Sequence, residues 1–516
     1  MKKCLIVLWL WTVPVLFAGR PNILFIYTDD QSHRTVGCDP RSFDWVTTPN
    51  IDQLAAQGIR FDRAYIGTWC MPSRATLLTG HHQHGIESMR MEGQYPGSVY
   101  DPEKCPFWPS VFRKHGYHTA HIGKWHTGVD DGYGRDWDFQ QVWNRPAFPK
   151  NAPNYFDNQL IVTNGGEPVM HKGYTTDNYT DMAISHLKDL ARNKRKTSWY
   201  LWVCYGAVHG PFTPADRHLD RYASIDVLPA PDIYPPRKGK PKYVNEMHFW
   251  EKGKGGEPVE RAARKGGKTP VGMKDSPGRL LTDWVRQYHQ GVLAIDEGVG
   301  RLLEALVETG FDANTWVVFT SDQGFAWGQH GFKSKVGPYD GTIRAPLIVR
   351  PPSGDASAPR GSVVTSPVSG VDLPPTFFAW AGIDLPWKMH GRDMTPLLMS
   401  RNAKWDHPAL VVHTAKQYGS ATSKVPGPED PRLYHGPGVP WYVSLNDQRY
   451  KYIRTLVPGE VEELYDLEND PDEIHNLAQT AGHKKRVLAM RKATIAELKR
   501  TGARMAENLP EVAPLQ

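Results

Sequence analysis

Four short, unbroken apolar runs stand out along the chain: residues 22–27 (Asn-Ile-Leu-Phe-Ile-Tyr), 199–205, 315–320 and 345–350. Runs of this length without polar alternation fit strands covered on both faces of a sheet. Between them the period lengthens to that of a helix. Val285, Tyr288, Val292, Ile295, Val299, Leu302 and Leu306 recur at three- and four-residue spacing, and Gly310 can stop the run, so residues 282–309 predict one long amphipathic helix. Shorter helices are predicted at 51–58, 108–114, 179–190 and 484–499, and a further strand at 118–126. Strands alternating with helices define an α/β class with a central sheet between helical layers. Residues 127–180 are rich in Gly, Asp, Asn and aromatics with little periodicity, and predict loops that shape a pocket. Beyond about residue 400, runs at 409–414, 441–445 and 450–455 read as antiparallel strands of a smaller C-terminal α+β unit with an antiparallel sheet.

Two stretches break this pattern. Residues 1–19 begin with Lys2 and Lys3, continue with an apolar run over 4–17 and end on the small pair Ala18 and Gly19, which reads as a secretory signal. The run is too short for a comfortable bilayer span, so an exported protein, periplasmic or secreted, without stable membrane insertion is expected. Residues 234–276 are crowded with Lys, Arg, Gly and Pro, including Arg237-Lys238-Gly239-Lys240 and Arg264-Lys265-Gly266-Gly267-Lys268. They read as a solvated basic insertion, or as a basic lip that attracts polyanionic glycans. No nucleic-acid reader motif accompanies the charge, so nucleic acid is not an expected partner. The organisation expected is a signal at 1–19, a main domain at 20–400 and a smaller domain at 401–516.

Composition adds little beyond an ordinary enzyme: 516 residues, 40% hydrophobic and 22% charged, with a formal charge of +6 that mildly favours an anionic substrate. Five cysteines without a Cys-x-x-Cys spacing argue against zinc or redox chemistry.

The chemistry gathers at the ends of the predicted strands, where open α/β sheets hold their ligands. Asp29 and Asp30 follow the first run; adjacent carboxylates repel unless a cation lies between them. Gly123-Lys124-Trp125-His126 closes the second strand, and His209 lies just past the third. Asp322 and Gln323 follow the strand at 315–320, and with Asp29 and Asp30 they make an all-oxygen set that suits calcium before magnesium and zinc poorly. The run Gly67-Thr68-Trp69-Cys70-Met71-Pro72-Ser73-Arg74-Ala75-Thr76-Leu77-Leu78-Thr79-Gly80 reads as a loop and then a helix opening at Pro72. Cys70 would lie at the helix entrance, where free N–H groups favour an anion, with Arg74 one turn on.

Cys-x-Pro-Ser-Arg followed by Ala-Thr-Leu-Leu-Thr-Gly resembles the signature of type I, formylglycine-dependent sulfatases, and the other motifs occur in that family's order from about Pro21 to about Leu498. The resemblance implies an alkaline-phosphatase-like sandwich with a mixed central sheet. It implies that a formylglycine-generating maturation enzyme oxidises Cys70 to formylglycine (3-oxoalanine), whose hydrate is the nucleophile. It implies one calcium held by Asp29, Asp30, residue 70, Asp322 and Gln323, where Gln323 replaces the commoner Asn or His and lengthens the arm by one methylene. Arg74, Lys124, His209 and Lys335 (Lys333 as the fallback) would contact the sulfate, His126 would orient the hydrate, and His209 would protonate the leaving oxygen. The activity implied is hydrolysis of sulfate esters of sulfated poly- or oligosaccharides. The alternatives are a phosphodiester or phosphonate monoester hydrolase, an arylsulfatase of broad specificity, and an inactive glycan-binding relative.

Overall fold

The computed structural model describes residues 19–93, 95–193, 196–261, 280–436 and 438–515. The expected signal sequence, apart from Gly19, and the second basic run, Arg264–Lys268, lie outside the described residues.

The main sheet runs in the order Ser362–Val364, Ile59–Tyr65, Ala345–Arg350, Thr315–Ser321, Asn22–Thr28, Trp199–Cys204, His118–Trp125, Phe139–Asn144, Gln159–Thr163 and Val169–His171, with Val368–Ser369 also pairing Ile59–Tyr65. The five strands from Thr315–Ser321 to Phe139–Asn144 are parallel neighbours. Ala345–Arg350 and Gln159–Thr163 run antiparallel to their neighbours, so the sheet is mixed, as expected. Alternate residues of each central strand serve opposite layers. Leu24, Ile26, Val317 and Phe319 pack with the helices Pro49–Ala56, Thr175–Arg192 and Leu281–Glu308. Ile23, Phe25, Trp316 and Val318 pack with Leu77 and Leu78 of the Cys70–Thr79 helix and with Phe377 and Phe378 of the Leu373–Ala381 helix. Apolar burial on both faces is why these strands show no polar alternation.

Beyond residue 400 a second sheet forms from Ala409–His413, Tyr442–Asn446, Tyr450–Thr455 and Glu462–Asp466, all antiparallel. The Lys484–Arg500 helix covers it through Val487, Met490 and Leu498. A buried ionic knot ties the two sheets. Lys451 Nζ lies 2.8 Å from Asp340 Oδ1 and 2.8 Å from Glu473 Oε1, and the Asp340 N–H donates to Glu473 Oε2 at 2.6 Å.

Three expectations need correction. Residues 127–180 are not loops throughout, because Phe139–Asn144, Gln159–Thr163 and Val169–His171 extend the main sheet. The described part of the basic stretch is solvated only in part: Lys238, Lys242, Lys252 and Lys254 are exposed, but two of its cations are not. Arg237 is buried and donates to the carbonyls of Asp232, Ile233, Val244 and Met247, while buried Lys240 donates to Tyr465 Oη and the Glu473 carbonyl. These two cations bind the strap to the protein and do not form a basic lip. The helix after residue 67 begins at Cys70 rather than Pro72, and Gly80, at φ 73°, closes it with its N–H on the Thr76 carbonyl at 2.8 Å. Cys38, Cys70, Cys105 and Cys204 are all free thiols in this structure.

Candidate active site

Five parallel strands bring five C-terminal ends to one edge, and residues far apart in sequence meet there. The carboxylates come first. Asp29 and Asp30 follow Asn22–Thr28, and Asp322 and Gln323 follow its neighbour Thr315–Ser321. The Asp30 N–H donates to Asp322 Oδ1 at 2.8 Å, and Tyr288 Oη donates to the Asp30 carbonyl, which together hold Asp30 at φ 59°. Aspartate tolerates that left-handed conformation better than most residues. All three carboxylates are buried.

Cys70 enters from the first turn of the Cys70–Thr79 helix, so helix amides and thiol share one end. Its Sγ donates to Asp29 Oδ1 at 3.3 Å and accepts from Lys335 Nζ at 2.9 Å. Ligand atoms of Asp29, Asp30, Cys70 and Asp322 all lie within 4.8 Å of one another. Gln323 Nε2 donates to Asp30 Oδ1, while Gln323 Oε1 and Asp322 Oδ2 are buried without a hydrogen-bond partner. Unpartnered buried oxygens beside clustered carboxylates fit a hard cation. Burial pushes the Cys70 thiol up to about 12, with Lys335 opposing, so the unmodified side chain is a protonated thiol and a poor nucleophile at neutral pH.

Each carboxylate has a cation against it. Arg74 Nη2 lies 3.3 Å from Asp29 Oδ2 and 3.6 Å from Asp322 Oδ2, and Lys124 Nζ pairs with Asp29 Oδ2. Lys335 Nζ donates to Asp30 Oδ1 at 2.6 Å. Burial works against the Lys335 ammonium, but Asp30, Cys70 and Asp322 more than offset it and hold its pKa above the usual lysine value. Burial raises Asp30 to about 6, helped by Asp322 and opposed by Lys335. Lys333, the fallback, instead pairs with Glu260. Gly123 lets Lys124 reach this edge. Its φ is 101°, and a Cβ there would strike the Cys204 carbonyl of the adjoining strand.

His209 stands 3.7 Å from Asp30 Oδ2 through Nε2, and its Nδ1 donates to the Gly210 carbonyl at 2.7 Å, which turns the Nε2 lone pair into the site. Its ring lies on Tyr155, 3.9 Å between centroids and 3° from parallel. Burial, then Lys335 and Lys124, keep its pKa well below the ordinary histidine value. His126 is placed one strand further along. Among the described residues, the neighbour in hydrogen-bond range of its ring is Arg145, with Nη1 3.0 Å from Nε2, and burial and that guanidinium keep the imidazole neutral.

Arg145, Tyr155 and Tyr95 were not anticipated from the sequence. Arg145 follows the Phe139–Asn144 strand, so the signal was an arginine at the C-terminal end of a strand read as loop. Tyr155 Oη lies 3.5 Å from Lys124 Nζ.

Comparison with known proteins gives consistent results. A family model described as Sulfatase matches residues 21–383. The chain is 28% identical over 511 residues to an N-acetylglucosamine-6-O-sulfatase of Bacteroides thetaiotaomicron, covering 90% of this chain and 84% of that protein. It is also 28% identical over 495 residues to the human N-acetylglucosamine-6-sulfatase, covering 89% and 81%. A solved protein in complex with its substrate D-glucosamine-2-N,6-O-disulfate shares the fold with a TM-score of 0.74 at 24% identity, covering 95% of this chain and 99% of that one. A phosphonate monoester hydrolase from Silicibacter pomeroyi shares it with a TM-score of 0.69 at 20% identity, covering 94% and 96%.

Proposed function

The chain belongs to the sulfatase family and is a sulfuric ester hydrolase; on that premise we propose that it hydrolyses sulfate esters of sulfated oligo- or polysaccharides through the site around residue 70. The observation that carries this reading is Lys335, whose ammonium lies 2.9 Å from Cys70 Sγ and 2.6 Å from Asp30 Oδ1, at a helix end flanked by Arg74 and Lys124. Three cations near one candidate nucleophile, Lys335 on Cys70 itself and Arg74 and Lys124 on the adjoining Asp29, support this reading, because an ester with anionic oxygens needs such charge. The carbohydrate substrate is supported by relatives named for N-acetylglucosamine 6-sulfate.

Asp29, Asp30, Asp322 and Gln323, with the side chain at 70, would hold one calcium, which supplies Lewis-acid polarisation of a sulfate oxygen. Oxidation of Cys70 to formylglycine by a maturation enzyme would supply a hydrated aldehyde as oxygen nucleophile. The remaining work falls to this chain's own side chains. Arg74, Lys124 and Lys335 bind the ester oxygens and neutralise charge as it shifts. The entering anion raises the proton affinity of His209, so Nε2 takes up a proton from solvent and then gives it to the departing sugar oxygen. A positioned acid of this kind contributes about 10²- to 10⁴-fold in rate. Neutral His126 is suited to accept a proton from the group at residue 70. Export through the N-terminal signal belongs to the same reading; among the described residues no helix is long and apolar enough to cross a membrane.

The test is turnover of defined sulfated glycans by enzyme co-produced with a maturation enzyme, reading released sulfate, beside an aryl phosphonate monoester. Sulfate release with weak phosphonate cleavage is expected. Dominant phosphonate cleavage by fully converted enzyme would replace this reading with that of a phosphonate hydrolase.

A further inference from the structure

Every cation that touches Cys70 or its carboxylates is itself paired with a carboxylate, as described for Arg74, Lys124 and Lys335. Arg145, which touches neither Cys70 nor those carboxylates but lies against His126, has no such pair among the described residues. Only 4% of its surface is exposed, yet among the described residues no carboxylate lies in ion-pair range of its guanidinium. Its Nε donates to the Ala152 carbonyl at 3.0 Å, and Nη1 faces His126 and, at 3.5 Å, Tyr95 Oη. Nη2 has no acceptor among the described residues. A charged guanidinium this deep in a protein ordinarily has an anion against it, because burial without one is costly.

The surroundings hold the group flat and aimed. Its Cζ lies 4.8 Å from the ring centroid of Tyr155, 5.3 Å from that of Trp143 and 5.8 Å from that of Tyr95. The Tyr155 ring that carries Arg145 also stacks on His209 and has Lys124 Nζ 5.1 Å from its centroid, so Arg145 borders the place assigned to the scissile ester. Tyr95, 47% exposed, marks the side open to solvent.

We infer that Arg145 receives a second oxyanion of the substrate, a carboxylate or a further sulfate carried on the sugar bearing the scissile ester or on the ring beside it. This rests on the carbohydrate sulfatase reading above and adds the class of sugar: one with at least two anionic groups. The guanidinium charge and the N–H groups of Nη2, the one nitrogen left without an acceptor among the described residues, suit either oxyanion. Arg145 is thus a specificity-determining residue.

The test compares kcat/KM for sulfate release within two pairs: N-acetylglucosamine 6-O-sulfate against glucosamine N,6-O-disulfate, and an unsaturated hexuronate 2-O-sulfate against its methyl ester. The doubly anionic member of at least one pair is expected to be preferred by about 10-fold or more, as for a hydrogen-bonded charge contact. The first pair reports a second sulfate and the second a carboxylate. Arg145→Gln is expected to bring the preferred ratio to within about twofold of unity, chiefly through KM, and Arg145→Lys to keep part of it. No preference in either pair, or an equal loss on both members in Arg145→Gln, would overturn the inference and leave Arg145 as a positioning residue for His126. The wild-type ratios alone decide the first point if the glutamine variant fails to fold. Turnover of none of the four substrates, with residue 70 fully converted, would strike the carbohydrate sulfatase reading itself and take the inference with it.

Discussion

Replacing Lys451 by methionine isolates what the knot between the two sheets contributes. Lys451 is fully buried, and its ammonium is 2.8 Å from each of two buried carboxylates, Asp340 and Glu473. Asp340 keeps Tyr65 Oη at 3.0 Å and Arg344 at 3.7 Å, but Glu473 Oε1 keeps no hydrogen-bond partner. Methionine fills most of the space, so the main effect is an uncompensated buried carboxylate, about 3–5 kcal/mol. With about 2.1 cal/mol/K per residue over the chain, that is a fall in Tm of about 4 °C. The loss should depend on pH. Burial already raises Glu473 to about 7, with Lys451 opposing and Asp340 adding, and removing the lysine raises it further. A carboxyl whose folded pKa exceeds its unfolded value contributes stability below the unfolded value and loses it as pH rises through the folded one. The variant should therefore sit closer to the wild type at pH 5.5 than at pH 8. Urea unfolding followed by far-UV circular dichroism at both pH values measures this, and Lys451→Met combined with Glu473→Gln should recover part of the loss at pH 8. A difference under about 1 kcal/mol at pH 8, or one equal at both pH values, would refute the reasoning.

Three more outcomes are expected. Lys335→Ala should lower kcat for sulfate release by about 10²- to 10³-fold, whereas Lys333→Ala, which breaks only a part-exposed pair with Glu260, should cost under about 10-fold; steady-state kinetics that reverse this order would return the sulfate contact to Lys333. Dialysis against a chelator should abolish sulfate release, and calcium should restore it better than magnesium or zinc, as read by the same assay. Asp296 accepts from the Asn50 and Ile51 N–H groups at the start of the Pro49–Ala56 helix, and burial raises it to about 6, opposed by those same hydrogen bonds. Its contribution is present below the ordinary carboxylate pKa and fades as pH rises through 6, so Asp296→Asn should gain on the wild type in Tm between pH 4 and pH 7.

Physical circumstance decided which parts of this fold the sequence displayed. Strands such as Asn22–Thr28 and Thr315–Ser321 are apolar on both faces, and nothing but burial explains such a run. Phe139–Asn144 lies in the same parallel set but carries Gln140, Gln141 and Asn144. Gln140 Nε2 donates to the Asp131 carbonyl and Asn144 Nδ2 to the Val129 carbonyl, so these amide donors find acceptors in loops that no local pattern announces. The strand was hidden, and Arg145 with it. Charge misled in the opposite direction at Arg237 and Lys240. A run of basic residues reads as solvated, and only the fold supplies the ring of carbonyls that takes Arg237 inside.

The same edge that makes the site legible also orders its charge. Along the sheet the strand ends present Asp322 with Gln323, then Asp29 with Asp30, then His209, then Lys124 with His126, and last Arg145. Carboxylates occupy one half and cations and imidazoles the other, because each strand contributes its own terminus in spatial rather than sequence order. A sheet built this way has a direction for a bound anion. On the proposed reading the ester head group would sit at the junction, where Cys70, Lys335 and Arg74 reach in from the helix and the loops, and a second negative charge on the substrate would be stabilised towards Arg145. Coulomb attraction in such a part-buried setting is several-fold stronger than in water, so the gradient itself orients a sugar that carries two charges and does little for one that carries a single charge. Selection for polyanionic sugars would then follow from strand order as much as from any one side chain.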